Sequence, residues 1–459
     1  MNRTHTVLSL TLIVAGVIAG AMVALFSQVF LAVVAVVVIA AFSFVGYQTS
    51  RRRSGALFPM AFVGTAASVL ALGTINNWEQ TGPASSTSTT WAAIGLGVVA
   101  FVLGSTLSLM AISSSESGFK FLQLSSNESF SLRQRKALRF ADGCLLAISL
   151  LNLVTGEVII FSSEISASRF SGNYGLLGRA WPIVFGALQA SFLLHAFLLS
   201  RRRRPEDFIF CMLISTVFVA TAARSFVFVA LAAVAIAVLE TRRPRLWLVI
   251  VVLVCGLTLA GAAGYVRNST EFGAQTIDDS LVEREFPTGI LGLTLSNLST
   301  GPWVLSKALH DVPDQVPFQR GMFFLRDGLN FVDSSFTRSD VWVAETILER
   351  EPLANIGYPP TVIGGLYLDF GFAGIAIGMF AAGALTQWLY KLARHRGILG
   401  HLQYSLWCAY LLTSVYSYFS LKPSFFVSIL LLEVLIRIER RFQVAASTTL
   451  EVSGAREPT

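Results

Sequence analysis

The chain has 459 residues, of which 54% are hydrophobic and 13% charged, with a mean hydropathy of +0.65. A soluble protein of this length needs far more polar surface to cover its cores, so the composition excludes a water-soluble globule and fits lipid as the solvent. The formal net charge of +7 sits in short clusters between apolar runs (Arg51 to Arg53, Arg201 to Arg204, then Arg242, Arg243 and Arg245), which reads as a membrane orientation signal and excludes a nucleic-acid-binding face.

Apolar runs of about 20 residues recur along the whole chain, predicting an all-α, polytopic membrane protein of about 12 transmembrane helices and one large outer-face loop of short amphipathic helices. The spans fall at 7–26, 28–47, 56–74, 91–112, 141–161, 179–200, 208–223, 225–239, 246–265, 367–390, 402–420 and 424–437. The opening Met-Asn-Arg-Thr-His leads into the first span rather than into a cleavable signal, because another helix follows almost at once. Every basic cluster lies on one side if both termini are cytoplasmic. The predicted organisation is transmembrane helices over 1–265, an extracytoplasmic loop over 266–366, three more helices over 367–444 and a disordered tail over 445–459. Cys144, Cys211, Cys255 and Cys408 all sit in apolar runs and read as packing residues.

Between Phe208 and Leu239 the only charged residue is Arg224, in "FVATAARSFVFVAL". Basic clusters on both sides of this run require an even number of crossings, and each arm reaches about 24 Å against a core of about 30 Å. Arg224 is therefore expected at a hairpin tip, near the outer boundary. There it either snorkels to headgroups or forms an anion site, for which a planar guanidinium suits phosphate oxygens. Arg179, beside Trp181, is a second arginine on that side, either an interfacial anchor or a ligand. Glu157 and Glu433 are further intramembrane charges, and Glu433 stands one helical turn from Arg437. Asp142 lies near the cytoplasmic boundary and is expected to be solvated.

Segment 266–366 carries thirteen acidic and seven basic residues, a balance of −6 in an otherwise basic chain. Its apolar pieces, "GILGLTLSNL", "GPWVLSKALH" and "RGMFFLRDGLNFV", read as short amphipathic helices forming a lid or groove. Arg320, Arg326 and Arg338 accompany them. Asp340 and Glu345 lie among Phe331, Phe336 and Trp342, a mixture of carboxylates and aromatics common in sugar clefts and on interfacial loops alike.

The stretch "YPPTVIGGLYLDFGFAGIAIGMFAAGALTQWLYKLAR", from Tyr358 to Arg394, resembles the bacterial Wzy-type O-antigen polymerases. The resemblance rests on Pro359, Pro360, Tyr367, Asp369, Phe370, Gly371 and Gly374, on Arg320, Gly321 and Phe323 of "QRGMFFLRDGLNFV", and on Arg224 in "TAARSFVFVAL". The family's usual Ile-Pro after the loop leucine is missing from "NFVDSSF". The related O-antigen ligases carry a loop histidine that His310-Asp311, with Gly321, nearly matches. The glycines of 367–390 also suit close helix packing, and Tyr367 and Asp369 also suit an interfacial anchor and a helix N-cap.

The resemblance implies an inverting, metal-independent glycosyltransferase with no cofactor, working at the outer face of the bacterial inner membrane. Its donor and acceptor would be polyprenyl-diphosphate-linked oligosaccharides, and a chain-length regulator and a flippase would be its partners. The candidate catalytic residues are Arg224, Arg320, Asp340, Glu345 and His310. The candidate substrate-binding residues are Arg179, Arg326, Arg338, Tyr367 and Asp369. No metal ligands are expected; the nearest acidic pair is Asp278-Asp279. The rival of another class is a lipid-linked sugar flippase, which internal repeats and charges lining both leaflets would favour.

Overall fold

The structure is a computed structural model that describes residues 87–115, 132–155, 175–202, 204–220, 224–242, 290–349, 358–415, 417–418 and 420–454. The spans expected at 7–26, 28–47, 56–74 and 246–265 lie outside the described residues, as do Glu157, Cys255, Asp278 and Asp279. Among the described residues the elements are all helical. They are α1 (Thr87–Ser115), α2 (Leu132–Thr155), a 3-10 segment (Gly175–Ala180), α3 (Trp181–Arg202), α4 (Pro205–Ala220), α5 (Arg224–Arg242) and α6 (Ile290–Asp311). α7 (Met322–Val332), α8 (Ser339–Thr346), α9 (Thr361–His395), α10 (Gly397–Thr413) and α11 (Pro423–Gly454) follow. Among the described residues, four helical stretches are long and apolar enough to cross a membrane: Thr89–Ser108, Lys136–Thr155, Trp181–Arg201 and Thr361–Arg394. This is a helical membrane protein.

α10 is the core of the bundle. Fifteen of its residues are buried, from Ile398 through Leu411 with Thr413. It packs against α5, α9 and α11. α9 lies along α1, and glycines set how closely. A Cβ on Gly104 would strike the Phe380 carbonyl, and one on Gly383 the Phe101 carbonyl. The Ser105 hydroxyl donates to the Gly383 carbonyl at 3.3 Å in the same seam. In lipid, where no water drives helices together, this close backbone approach supplies the packing that holds them. On the other flank, α3 packs against α2, α4, α5 and α11. Its aromatic core joins Trp181 and Phe185 of α3 to Phe218 of α4, the two phenylalanines stacked at 5.5 Å.

The hairpin expected around Arg224 is present in the backbone: α4 ends at Ala220, Arg224 opens α5, and the two helices pack together. Several expectations need correction. Asp142 is not solvated but buried, with Ser191 and His195 on its carboxylate. The pieces read as two short helices around Pro302 form one 22-residue helix, α6. α9 begins at Thr361, six residues before the expected start, so the long polar loop is shorter at its C-terminal end. α10 stops at Thr413, well short of 420. α11 runs on to Gly454, through most of the stretch read as disordered. An established helix adds residues cheaply, and Gln443, Ala445 and Ala446 are good helix formers. Glu433 does pair with Arg437, at 3.2 Å, and also with Arg396 of the α9–α10 junction.

Candidate active site

The site is built on a break in α9. Phe370 (φ −142°, ψ 18°) and Gly371 (φ 64°, ψ −150°) leave helical geometry in the middle of the helix. Gly371 has a backbone conformation that side-chain-bearing residues rarely adopt, and a Cβ there would press on the Phe318 ring at 3.0 Å. At the break, the Leu368 and Asp369 carbonyls accept from the Gln319 N–H at 2.8 Å and the Arg320 N–H at 3.0 Å. The segment before α7 is thereby stitched to α9.

The Asp369 side chain completes the join. Its Oδ1 accepts from the Gly321 and Phe323 N–H groups, both at 2.9 Å, and its Oδ2 from the Phe324 N–H at 3.1 Å. A helix start leaves its first N–H groups without partners, and a carboxylate both satisfies them and opposes the helix dipole. Asp369 is thus a helix cap, but for α7 rather than for its own helix. Tyr367 braces the same join: its hydroxyl donates to the Val312 carbonyl at 2.7 Å, and its ring meets Phe318 and Phe372 edge-on.

Around this joint stand the cations. Arg320 occupies left-handed backbone (φ 52°) and its side chain is exposed. Arg326 is half-buried, with its guanidinium 4.7 Å above the Trp342 ring of α8. One terminal nitrogen donates to the neutral Gln319 Oε1 at 3.1 Å, and the Nε is buried with no partner. Among the described residues no carboxylate lies within ion-pair distance of it. Burial pulls the Arg326 guanidinium below its ordinary value, an effect opposed by the nearby charges of Asp369 and Glu345. Glu345 itself is exposed on α8.

Asp327, the next residue, points into a different network that the sequence reading missed. It accepts from the Ser339 N–H at 3.1 Å, the Tyr418 hydroxyl at 2.7 Å and the Ser420 hydroxyl at 2.6 Å. Burial pushes its carboxyl up, but Lys422 and Arg338, with the hydrogen bonds from Ser420 and Ser339, hold it below the usual carboxylate range. Lys422 lies over the Tyr418 ring at 4.6 Å. Asp327 so ties α7 to α8 and to the α10–α11 connection. Arg338 is paired with the buried Asp340 at 2.7 Å.

His310, at the end of α6, has its Nδ1 2.7 Å from Oδ1 of the buried Asp311, which Lys307 also reaches at 3.2 Å. If Nδ1 donates to that carboxylate, Nε2 is left as the acceptor, the tautomer of a general base. Val312, two residues on, receives the Tyr367 hydroxyl, so this dyad adjoins the joint. Arg179 lies in the 3-10 segment and Arg224 opens α5, but their side chains are outside the described ones. The structure therefore brings Arg320, Arg326, Glu345, Tyr367 and Asp369 together, puts Arg338 and Asp340 on the Asp327 side, and sets His310 at the adjoining helix end. Among the described residues no three His, Cys, Asp or Glu side chains are grouped to hold a metal ion.

Residues 314–417 match a family model described as "Putative O-antigen polymerase". The match takes in α7, α8, α9 and α10 with Arg320, Arg326, Arg338, Asp340, Glu345, Tyr367 and Asp369; His310, Arg179 and Arg224 lie before it. The Wzy-type O-antigen polymerase resemblance holds over this stretch. No curated protein and no solved structure matches the chain.

Proposed function

We propose that the chain is an inverting glycosyltransferase that polymerises polyprenyl-diphosphate-linked oligosaccharide repeat units at the outer face of the bacterial inner membrane. Its product is O-antigen or another surface polysaccharide. The observation that carries this reading is Arg326: a half-buried guanidinium on an aromatic face, bonded to a neutral amide and to no carboxylate among the described residues, inside the stretch the family model matches. A cation held in that way is set to receive an anion.

In the proposed reaction the acceptor sugar hydroxyl attacks the anomeric carbon of the growing chain. The new glycosidic C–O bond forms as the bond to the lipid diphosphate breaks, and the hydroxyl proton passes to a base. Arg326 and Arg320, with Arg224 and Arg179, neutralise the departing diphosphate, while Arg338 is held on the Asp340 and Asp327 side. Of the three candidate bases, His310 has the supporting geometry, since Asp340 is held by Arg338 and Glu345 is exposed. Tyr367 and Asp369 act by setting the position of α7. The reaction needs no divalent cation. The full chain has twelve spans with both termini cytoplasmic, and a flippase supplies its substrate while a chain-length regulator limits its product.

His310, in the last turn of α6, favours a second reading, an O-antigen ligase-type transferase. Purified protein in detergent, given lipid-linked repeat units and a chelator but no ion gradient, is expected to lengthen them. Transfer only to a different acceptor makes it a ligase; translocation across vesicles without lengthening makes it a flippase; activity restored by Mg²⁺ or Mn²⁺ overturns metal independence. Arg224→Lys retaining full polymerisation would remove that residue from the anion site.

A further inference from the structure

Asp142 of α2, His195 of α3 and Asp207 of α4 form a second polar cluster, inside the helix bundle and with no part in the reaction above. The three residues are 3%, 1% and 5% exposed. The His195 Nδ1 lies 2.8 Å from Asp207 Oδ1, and its Nε2 lies 2.8 Å from Asp142 Oδ2. The Ser191 hydroxyl donates to the other Asp142 oxygen at 2.6 Å. The Phe210 ring stacks on the imidazole at 4.7 Å and 9°. His195 stands fourteen residues beyond Trp181, about 21 Å along α3, beside the Arg201 to Arg204 cluster.

The proton count follows from this geometry. Each nitrogen–oxygen contact needs a proton between its two atoms, and a neutral imidazole carries only one N–H. The trio therefore holds two protons among three groups and keeps one net negative charge. Removing one proton sets a lone pair against a carboxylate oxygen in a setting too dry to screen the repulsion. The groups facing the trio are few. Ser191 sits on Asp142, and the Cys211 thiol, which feels the charge of Asp207, lies one turn along α4. Arg139 of α2 and Glu206 of α4 form an ion pair at the rim. α5, α10 and α11 also pack on α3, but among the described side chains the charges that act on His195 are those of Asp142 and Asp207.

We infer that Asp142, His195 and Asp207 form a proton-binding clamp, which ties α2, α3 and α4 together while its two shared protons are bound and releases them when one is lost. Three helices would then respond to the pH on the side marked by the basic clusters. This clamp is independent of the polymerase reading and survives its failure.

The test uses the full chain in lipid nanodiscs, with its native cysteines replaced by alanine. Spin labels go on Phe140→Cys of α2 and Phe208→Cys of α4, both exposed and outside the trio. The distance distribution is followed from about pH 6 to about pH 9.5, across and above the ordinary histidine range. A single narrow distance at the acid end, giving way to a longer-distance population that grows about tenfold with pH, is expected. In His195→Gln the distribution should no longer change with pH. A wild-type distribution that stays the same throughout the range overturns the clamp, with no need of the variant. So does a pH response that persists unchanged in His195→Gln.

Discussion

The two polar clusters differ in one respect that decides what each can do. Around His195 the ring nitrogens and the carboxylate oxygens facing them are paired inside the bundle. Around Arg326 the Asp369 carboxylate is spent on backbone N–H groups, and the cations are left over: Arg320 exposed, and Arg326 with a buried nitrogen lacking a partner. A closed cluster cannot take a ligand without giving up a bond, so it can only hold helices. An open one holds little and can bind. Polar side chains inside a membrane protein therefore point to a site only when their bonding is incomplete.

The largest effect should come from breaking the closed cluster. His195→Ala leaves two buried carboxylates without their bridge and should cost about 3–5 kcal/mol of stability, the usual penalty for stranding a buried charge. Thermal unfolding in detergent reads this out, and a variant as stable as wild type would mean that the cluster is not closed. Next is Arg326→Ala, expected to cut polymer elongation about a hundredfold, or ~3 kcal/mol, with little change in thermal stability. Arg326→Lys should recover little of this, since it loses the planar stack on Trp342 and the bidentate geometry for an anion. A variant that loses stability while keeping activity would invert the comparison.

Asp369→Ala sharpens it, because Asp369 belongs to the open site yet does structural work. Loss of the α7 cap should cost about 1–2 kcal/mol, seen as faster amide exchange at Gly321, Phe323 and Phe324. The smallest effect is expected at Asp327. Its carboxyl is held below the usual range, so its stabilisation is complete above the unfolded value, near pH 4, and fades as pH falls through the lower folded value. Protease sensitivity of α7 and α8 should rise a few-fold in strong acid in wild type, and Asp327→Asn should abolish that acid step. Sensitivity that changes identically in both proteins would assign the step to another group.

Much of the fold was legible because its signal is local. Apolar runs give the helices, and the isolated Arg224 gives the hairpin that α4 and α5 form. What was not legible depends on partners far apart in sequence. Asp142, His195 and Asp207 each look like a polar residue near a helix end; only the packing of α2 on α3 and α4 brings them within 2.8 Å. Asp369 reads as a cap, but its target lies 45 to 48 residues back, beyond any local rule. Asp327 went unnoticed because Arg326 beside it draws the eye, although the two side chains serve different networks. The tail was misread for the opposite reason: small polar residues suggest disorder, but a helix arriving from Pro423 carries on through them.

The break in α9 also sets a depth. From Phe372 to His395 the second arm of this helix is 24 residues long, about 36 Å, slightly more than the hydrocarbon thickness of about 30 Å. An arm of that length is enough to cross the bilayer once, which would bring the Phe370–Gly371 break to its surface. Asp369 would then act as a height marker, fixing the start of α7, with Arg320 and Arg326, at the level of the lipid phosphates. In the proposed reaction a lipid-linked sugar would then need no lifting out of the membrane to meet these arginines; its chain would stay in the oil with its diphosphate level with them.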